Sequence, residues 1–352
     1  MHIPALAHNL GRARERARGR RIWAVVKANA YGHGIENAVL AFASADGLAL
    51  LELSEARRAR QAGWRGPILL LEGAFEEADL VAAQELGLTS VVHGHEQLRM
   101  LEHWRGGGQH AVYVKFDTGM NRLGFRPDEA APVLARLGAL AHVRIEALMT
   151  HLANADRDVA AAPEVAGQRE ALRALAPHWR GALSVANSAA LFLHDEAGPE
   201  WVRPGIALYG ASPRAGLDAA QLGLRAGMTL RARILAVRAL AAGECVGYGS
   251  IWRAPRAGRI GIVACGYADG YPRVAPEGTP VWVAGRRAPI VGRVSMDMLA
   301  IDLAGVDGAN AGDWVELWGA NVGVDEVAQR SGTVGYELLS GLPARVREIP
   351  SD

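Results

Sequence analysis

The stretch IWAVVKANAYGHG, residues 22–34, contains the pattern that decides the fold of this chain. An apolar run, Ile22–Val26, is followed at once by Lys27 and then by a glycine-containing turn. Short continuous apolar runs bounded by turn residues are typical of buried parallel strands, which are covered by helices on their outer faces. The unit therefore predicts a strand that delivers an ionisable side chain to the end of a sheet.

The same unit recurs through the first two thirds of the chain, with helix-forming segments between most of the runs. The seven further runs are Leu48–Leu51, Ile68–Leu71, Thr89–Val92, Ala111–Phe116, Arg144–Met149, Leu183–Ala186 and Trp201–Val202. The clearest helical segments are Ser54–Ala62, Glu76–Leu86, His95–Trp104 and Asp128–Leu137. Eight βα units predict a (β/α)8 barrel, an α/β fold, and the alternative of an open doubly wound sheet fits that count less well. Helix ends are expected at Gly63, Gly87 and Gly138, and a helix start at Ser54 with the acidic Glu55.

The residues that follow the eight runs are unusually rich in ionisable side chains. They are Lys27, Glu52, Glu72, His93, Asp117, His151, Asn187 and Arg203. In a (β/α)8 barrel the active site lies at the carboxyl ends of the strands. Their concentration there predicts an active barrel mouth.

After about Leu224 the pattern changes to short β-type runs separated by Gly, Pro and Asp turns. The runs are Thr229–Val237, Ile260–Val263, Val281–Val283, Pro289–Val294, Leu299–Leu303 and Trp314–Leu317. Only Asp325–Ser331 is expected to be helical. We predict a barrel domain over residues 1–224 and a mostly-β domain over residues 225–352.

Composition excludes several classes of protein. The 352 residues carry a formal net charge of +1, which gives no support for a nucleic-acid or anionic-membrane partner. No apolar run is long enough to span a membrane. The two cysteines make no disulfide framework and no zinc cluster, so no metal is expected. The Arg-rich start could resemble a transit peptide, but an amphipathic first helix burying Leu6 and Leu10 is the better interpretation, and a cytoplasmic location is expected.

Lys27 is the strongest candidate for catalysis. A lysine carried to a barrel mouth by an apolar strand is partly desolvated, which lowers its pKa and exposes a nucleophilic amine. A snorkelling strand-end lysine is the structural alternative.

Beyond this unit, motifs follow in a fixed order along the whole chain, and together with residues 23–34 they resemble those of the alanine racemase family. They are KFDTGMNRLG (115–124), MTH (149–151), ANS (186–188), RPGIALYG (203–210), GYG (247–249), GYADG (266–270), GRVSMD (292–297) and YE (336–337). The resemblance implies a pyridoxal-phosphate-dependent enzyme that interconverts L- and D-alanine, either to supply D-alanine for peptidoglycan or for alanine catabolism.

The resemblance also implies two proton-transfer residues. Lys27 would hold pyridoxal phosphate covalently and move the α-proton on one face of the substrate, and Tyr248 would act on the opposite face. Racemisation requires such a pair, because a single base on one face tends to return the starting enantiomer. A tyrosine, with a reference pKa of about 10, needs nearby positive charge to act as a base.

Further roles are implied by the same resemblance. Arg203 would face the pyridine nitrogen and keep it unprotonated, and His151 would link Arg203 to Tyr248. The phosphate would be held by Tyr31, Ser188, Gly205, Ile206 and Tyr336.

The substrate carboxylate would be held by Arg122 and the backbone at Met296, with Lys115 and Asp297 in support. In many members the lysine matching Lys115 is carbamylated. Tyr267 and Tyr336 would narrow the entrance, which favours alanine over larger amino acids. The β-domain residues would complete the partner's site in a homodimer.

One departure and several alternatives remain. Members of the family usually begin with an additional strand, which is missing or shortened before Pro4 here. The alternatives are a racemase of serine or of a broader range, a barrel-type pyridoxal-phosphate amino-acid decarboxylase, a non-enzymatic pyridoxal-phosphate carrier, and a cofactor-free barrel that binds phosphosugars. The decarboxylase is expected to have an acid opposite the pyridine nitrogen and an active-site cysteine, where Arg203 and Tyr248 stand here.

Overall fold

A computed structural model describes residues 1–158, 160, 163–175, 177, 179–194 and 201–348. The chain divides into two compact units. The barrel unit comprises residues 7–30 and 34–208, and the β-domain unit comprises residues 1–6, 31–33 and 209–352. The predicted boundary between residues 224 and 225 stays a prediction.

The barrel unit contains eight parallel strands in a closed barrel, in the order β1 to β8 with β8 pairing back to β1. They are β1 (Arg21–Val25), β2 (Gly47–Leu50), β3 (Ile68–Leu70), β4 (Leu88–Val92), β5 (His110–Lys115), β6 (Val143–Met149), β7 (Ala182–Asn187) and β8 (Trp201–Arg203). The (β/α)8 prediction is confirmed, and the open-sheet alternative is wrong because the strand order closes on itself.

Helices surround these strands. They are α1 (Ile3–Ala17), the single turn α2 (Lys27–Tyr31), α3 (Ile35–Ala41), α4 (Leu53–Gln61), α5 (Glu77–Glu85), α6 (His95–His103), α7 (Ala130–Gly138), α8 (Pro163–Leu175) and α9 (Ser188–Leu193). Leu6 and Leu10 of α1 are buried, as its amphipathic pattern predicts. Gly63 and Gly87 follow their helices with φ of 99° and 62°, a left-handed backbone that glycine adopts readily. The prediction for Gly138 is wrong, because α7 continues through that residue and Ala139 caps it.

The β-domain unit also closes into a barrel, in the order β12-β15-β14-β13-β16-β9. Its strands are β9 (Leu230–Leu240), β12 (Gly258–Val263), β13 (Pro280–Val283), β14 (Arg286–Val291), β15 (Leu299–Asp302) and β16 (Trp314–Trp318), with a separate pair formed by β10 (Cys245–Val246) and β11 (Trp252–Arg253). The mostly-β prediction is therefore confirmed. Helix α10 (Val324–Arg330) matches the predicted one, but α11 (Gly335–Ser340) was not expected. The residue before it, Val334, makes no side-chain capping bond, because valine has no side-chain oxygen. The sequence therefore lacks the N-cap residue that signals the start of a helix.

Parallel strands in a closed barrel end on the same side, so the eight predicted strand-end residues share one rim. Each of them lies at, or within two residues of, the end of its strand. Among the described helices, none combines the length and the apolar character that crossing a membrane requires. Both cysteines are free thiols.

Candidate active site

Lys27 stands at the rim directly beyond β1, whose last four residues are buried. Burial is the main cause that lowers the pKa of its amine, and the charge of Arg122 adds to it. Glu72 and Glu55 act in the opposite direction. A lowered pKa increases the fraction of neutral, nucleophilic amine, which is the property that the strand-end position predicted.

The turn that follows Lys27 is left-handed. Ala28, Asn29, Ala30 and Tyr31 have φ of 54°, 52°, 55° and 51°. Left-handed helical backbone costs roughly 1–2 kcal/mol for each residue with a Cβ atom. Such a turn persists only where its surroundings hold it in place.

Arg203, the last residue of β8, is buried, and its guanidinium donates to three neutral oxygens. The acceptors are Ser184 Oγ at 2.6 Å, the Thr150 carbonyl at 2.7 Å and the Val185 carbonyl at 3.3 Å. Burial lowers the pKa of Arg203 to about 10, so it stays protonated at neutral pH. A buried cation bonded to neutral acceptors retains a positive potential that an anion or a ring nitrogen can satisfy.

Lys115 and Arg122 enlarge this positive region. Burial lowers the pKa of Lys115 to about 8, with further lowering by the charges of Arg203 and Arg122. Burial, followed by the charge of Arg203, holds the pKa of His151 well below its ordinary value, so that imidazole is neutral. We call Lys27, Lys115, Arg122 and Arg203 the cation cluster. Their electrostatic effects on one another show that the barrel brings together cations from three separate segments of the chain.

A second group of predicted residues lies at the ends of β7 and β8. Ser188 is buried, and its Oγ accepts hydrogen bonds from the Gly205 N–H at 2.8 Å and the Ala207 N–H at 3.4 Å. Ile206 between them is fully buried. The structure thus brings Ser188, Gly205 and Ile206 together, with backbone N–H groups converging on one hydroxyl oxygen.

The β-domain unit contains a cluster of tyrosines around Tyr31. The Tyr31 ring stacks on Tyr209 with centroids 4.6 Å apart, and Tyr336 lies 6.1 Å from it at a tilt. Burial raises the pKa of Tyr31, so its phenol is a hydrogen-bond donor at neutral pH. The sequence predicted Tyr31 and Tyr336 for the phosphate site, but that prediction did not include Tyr209, which stacks on Tyr31.

Three separate segments of the β-domain unit form one surface, residues 246–249, 266–271 and 292–298, which we call the β face. A Cβ atom on Gly292 would lie 2.8 Å from the Val246 carbonyl oxygen, and one on Gly266 would lie 2.3 Å from that of Ser295. These close approaches explain the glycines at both positions.

The β face exposes side chains that proteins usually bury. Tyr248 is 71% exposed, Met296 53% and Tyr267 39%. Tyr267 and Ala268 donate backbone hydrogen bonds to the carbonyls of Ser295 and Met296 at 3.0 and 2.9 Å. The structure therefore places the predicted residues Tyr248, Tyr267 and Met296 on the same surface.

Arg345 was not predicted from the sequence. It pairs with Asp269 at 2.9 Å and with Asp297 at 2.8 Å, and so ties the Tyr267 turn to the Met296 turn. Asp297 thus supports the β face through an ion pair. A lone arginine near the C-terminus gives no sequence signal of this contact.

The family comparisons agree with this geometry. Residues 1–213 match the model of the alanine racemase N-terminal domain, and residues 227–350 match that of the C-terminal domain. An alanine racemase from Polaromonas sp. is 50% identical over 355 residues, covering 98% of this chain and 96% of the relative.

Solved structures are similar over nearly the whole chain. The biosynthetic alanine racemase of Pseudomonas aeruginosa has a TM-score of 0.93 and 47% identity, with 98% of this chain and 96% of that chain covered. The Bartonella henselae alanine racemase, solved with covalently bound pyridoxal phosphate, has a TM-score of 0.87 and 28% identity, with 99% and 98% covered. With both domain models matched and half of its residues shared with a full-length relative, the chain belongs to the alanine racemase family.

Proposed function

We propose that this chain interconverts L-alanine and D-alanine with pyridoxal phosphate bound at the barrel mouth. The observation that carries the proposal is the cation cluster, in which burial and the charge of Arg122 lower the pKa of Lys27 at the end of β1. Family membership supports both the reaction and the cofactor. The family match favours this function over the decarboxylase and over the carrier, and the matched C-terminal domain counts against a single-domain carrier.

The donor set fits the cofactor. Pyridoxal phosphate has an aldehyde that reacts with a neutral amine, a doubly charged phosphate and a ring nitrogen. Lys27 supplies the amine. The Ser188 hydroxyl accepts from the Gly205 and Ala207 N–H groups and keeps its own O–H to donate to a phosphate. Arg203 has a buried guanidinium whose acceptors among the described residues are neutral oxygens. Tyr31, Ile206 and Tyr336 are the other residues predicted to hold the phosphate.

Two residues carry the proton transfers in this proposal. The chemistry that bound pyridoxal phosphate supplies is delocalisation of the electron pair left when the substrate loses its α-proton. On one face Lys27 takes that proton as a neutral amine or returns it as an ammonium, and on the other face Tyr248 takes it as a phenolate or returns it as a phenol. After one conversion, the residue that took the proton is protonated and the residue that gave a proton is deprotonated. This is the state from which the reverse conversion starts.

Arg203 sets the strength of the electron sink. Its pKa of about 10 keeps it a donor at neutral pH, so it would donate to the ring nitrogen of bound pyridoxal phosphate and would leave that nitrogen unprotonated. His151, neutral beside Arg203, is the proposed link toward Tyr248. A weaker sink favours return of the proton over side reactions such as transamination.

Substrate selection involves Arg122 and the β face. Arg122 and the Met296 backbone hold the carboxylate, since a guanidinium offers a planar pair of donors. Tyr267 and Tyr336 narrow the entrance, which excludes side chains larger than that of alanine.

Lys115 is the proposed site of carbamylation. A pKa of about 8 leaves part of its amine neutral, and the carbamate would bring a negative charge between Arg203 and Arg122. Electron density for an unmodified amine at Lys115 would contradict this assignment.

The exposure of Tyr248 supports a homodimer in which the β face of one protomer completes the barrel mouth of its partner. Mixing Lys27→Ala and Tyr248→Phe protomers tests this arrangement. Shared sites would restore activity in about a quarter of all sites after random exchange, because each mixed dimer holds one intact pair. Sites contained within one protomer would restore none.

The direct test of function is chiral analysis of purified protein incubated with L-alanine. Accumulation of D-alanine to an equal mixture without loss of amine establishes the proposed reaction. Release of carbon dioxide would establish the decarboxylase instead. Comparison with L-serine under the same conditions measures whether the range is broader.

A further inference from the structure

The left-handed turn after Lys27 requires a contact from outside the turn. Its hydrogen bonds include Ala30 N–H to the Val26 carbonyl at 2.8 Å and Gly34 N–H to the Asn29 carbonyl at 2.9 Å. Residues with a Cβ atom leave the left-handed region unless other groups compensate.

Glu55, on helix α4, makes that contact. Its Oε1 accepts a hydrogen bond from the Asn29 N–H at 2.6 Å, and only 7% of Glu55 is exposed. Its Oε2 is buried without a hydrogen-bond partner in the described part of the chain. Burial raises the pKa of the Glu55 carboxyl, and hydrogen bonding to the backbone opposes that rise. The bond to Asn29 is the largest of these backbone contributions, ahead of those at Glu52 and Leu51.

Helix α4 also contacts the side chain of Asn29. The Asn29 Oδ1 accepts from Arg58 Nη1 at 2.9 Å and from the Ile35 N–H at 3.3 Å. Arg58 is in turn fixed by both oxygens of Glu36, at 2.9 and 2.6 Å. Glu55 and Arg58 are three residues apart and therefore lie on one face of α4.

We propose that Glu55 is a positioning residue that fixes the left-handed turn through Asn29 and thereby sets the direction of the Lys27 amine toward the cofactor. The proposal rests on the proposed role of Lys27. Glu55 itself bonds the backbone two residues beyond Lys27, so its effect is transmitted through the turn. The Glu55 charge also raises the pKa of Lys27 and opposes the effect of burial.

Helix α6 offers a matched control. Gln97 is likewise 7% exposed, and its Oε1 accepts from the His93 N–H at 2.8 Å just beyond strand β4. Gln97→Ala therefore removes a buried side-chain bond to the backbone after a barrel strand, at a position away from the lysine turn.

The test measures hydrogen–deuterium exchange of residues 28–31 in protein without added cofactor, together with the Kd for pyridoxal phosphate from absorbance titration. Glu55→Ala is expected to raise exchange and Kd about tenfold each, since a charge-assisted hydrogen bond is lost. Glu55→Gln keeps an acceptor oxygen and is expected to stay within about threefold of the natural protein. Gln97→Ala should leave exchange of residues 28–31 unchanged.

Glu55→Asp is a second variant that keeps the charge but shortens the reach to Asn29. With it, the test does not depend on correct folding of Glu55→Ala. It should reproduce the effect of Glu55→Ala. Unchanged exchange in both variants, an unchanged Kd, or an equal effect of Gln97→Ala would overturn the proposal. Neither readout requires alanine turnover, so failure of the racemase assay would be distinguishable from failure of the positioning role.

Discussion

At the mouth of the eight-stranded barrel Arg203 and Lys115 are buried, whereas on the β face the phenols of Tyr248 and Tyr267 are exposed. Arg203 is 4% exposed and Lys115 7%, against 71% for Tyr248. Burial changes the acidity of the first two groups, as the lowered pKa values of about 10 and 8 show.

The difference indicates that the two regions depend on different partners. The electrostatic environment of the barrel mouth is set within the barrel unit, because the groups that shift the pKa values of Lys27 and Lys115 all belong to that unit. The β face holds its shape by backbone contacts among three turns, but its tyrosine and methionine side chains lack a covering surface. Exposed apolar side chains gathered on one surface are typical of an interface.

The largest effect is expected from removing the amine of Lys27. Lys27→Ala should abolish the absorbance of covalently bound pyridoxal phosphate and reduce racemisation to the background rate, because it removes the amine at the end of β1. Absorbance spectra and chiral analysis of alanine measure both effects. Substantial racemisation by this variant would contradict the assignment of Lys27.

A smaller but still large effect is expected on the β face. Tyr248→Phe should keep the bound chromophore and reduce kcat by about 10²–10⁴-fold, the usual contribution of a general acid or base. Tyr267→Phe on the same face is the control, because its phenol has no proposed proton-transfer role. Full activity of Tyr248→Phe would show that the second base lies elsewhere.

The next effect concerns the shape of the β face. Arg345→Ala removes two ion pairs from an arginine side chain that is 51% exposed, so KM for alanine should rise about two- to fivefold with little change in kcat. Arg287→Ala removes one ion pair from a side chain of equal exposure, 51%, to Glu326. Equal effects of both variants on KM would exclude a specific role for Arg345.

The last effect concerns stability and leaves activity unchanged. It tests whether burial shifts the pKa of an acid in the β-domain unit as it shifts the pKa values of the cations in the barrel. Burial raises the pKa of Asp325 to about 6, although the Ser212 N–H opposes it. A raised folded-state pKa means that stability is lost as pH rises from about 4 through about 6. Asp325→Asn should therefore stabilise the protein at pH 7 by at most about 3 kcal/mol, with a smaller gain at pH 4.5.

Denaturant unfolding at the two pH values measures this difference. A stabilisation that is independent of pH would mean that the substitution acts through packing and not through titration of Asp325.

Much of the barrel was predictable because its signals are local. Each strand is a short apolar run. The residue that follows it can be assigned to the rim once the direction of the strand is known. The order of the family motifs supplied the site residues in the same way, one segment at a time. Helix α11 was missed because Val334 gives no capping signal, and Gly138 was misassigned because a glycine near a helix end has no fixed position relative to the cap.

Glu55 shows the limit of such local reasoning. Its position after Ser54 indicated only a helix start, but α4 begins at Leu53, and the Glu55 carboxylate is buried against Asn29. That contact joins residues 26 positions apart. Nothing in either segment encodes it separately.

By itself, the sequence determined the eight-strand alternation, the lysine at the first strand end and the identity of the family, since each depends on residue type and order along the chain. Only the tertiary structure decided that four cations meet at one rim, that a strained left-handed turn lies against a buried carboxylate, and that three distant turns form one exposed face. These features depend on distances between segments that are remote in sequence. Packing sets those distances, because a strained turn and a buried charge are stable only where other segments supply compensating contacts.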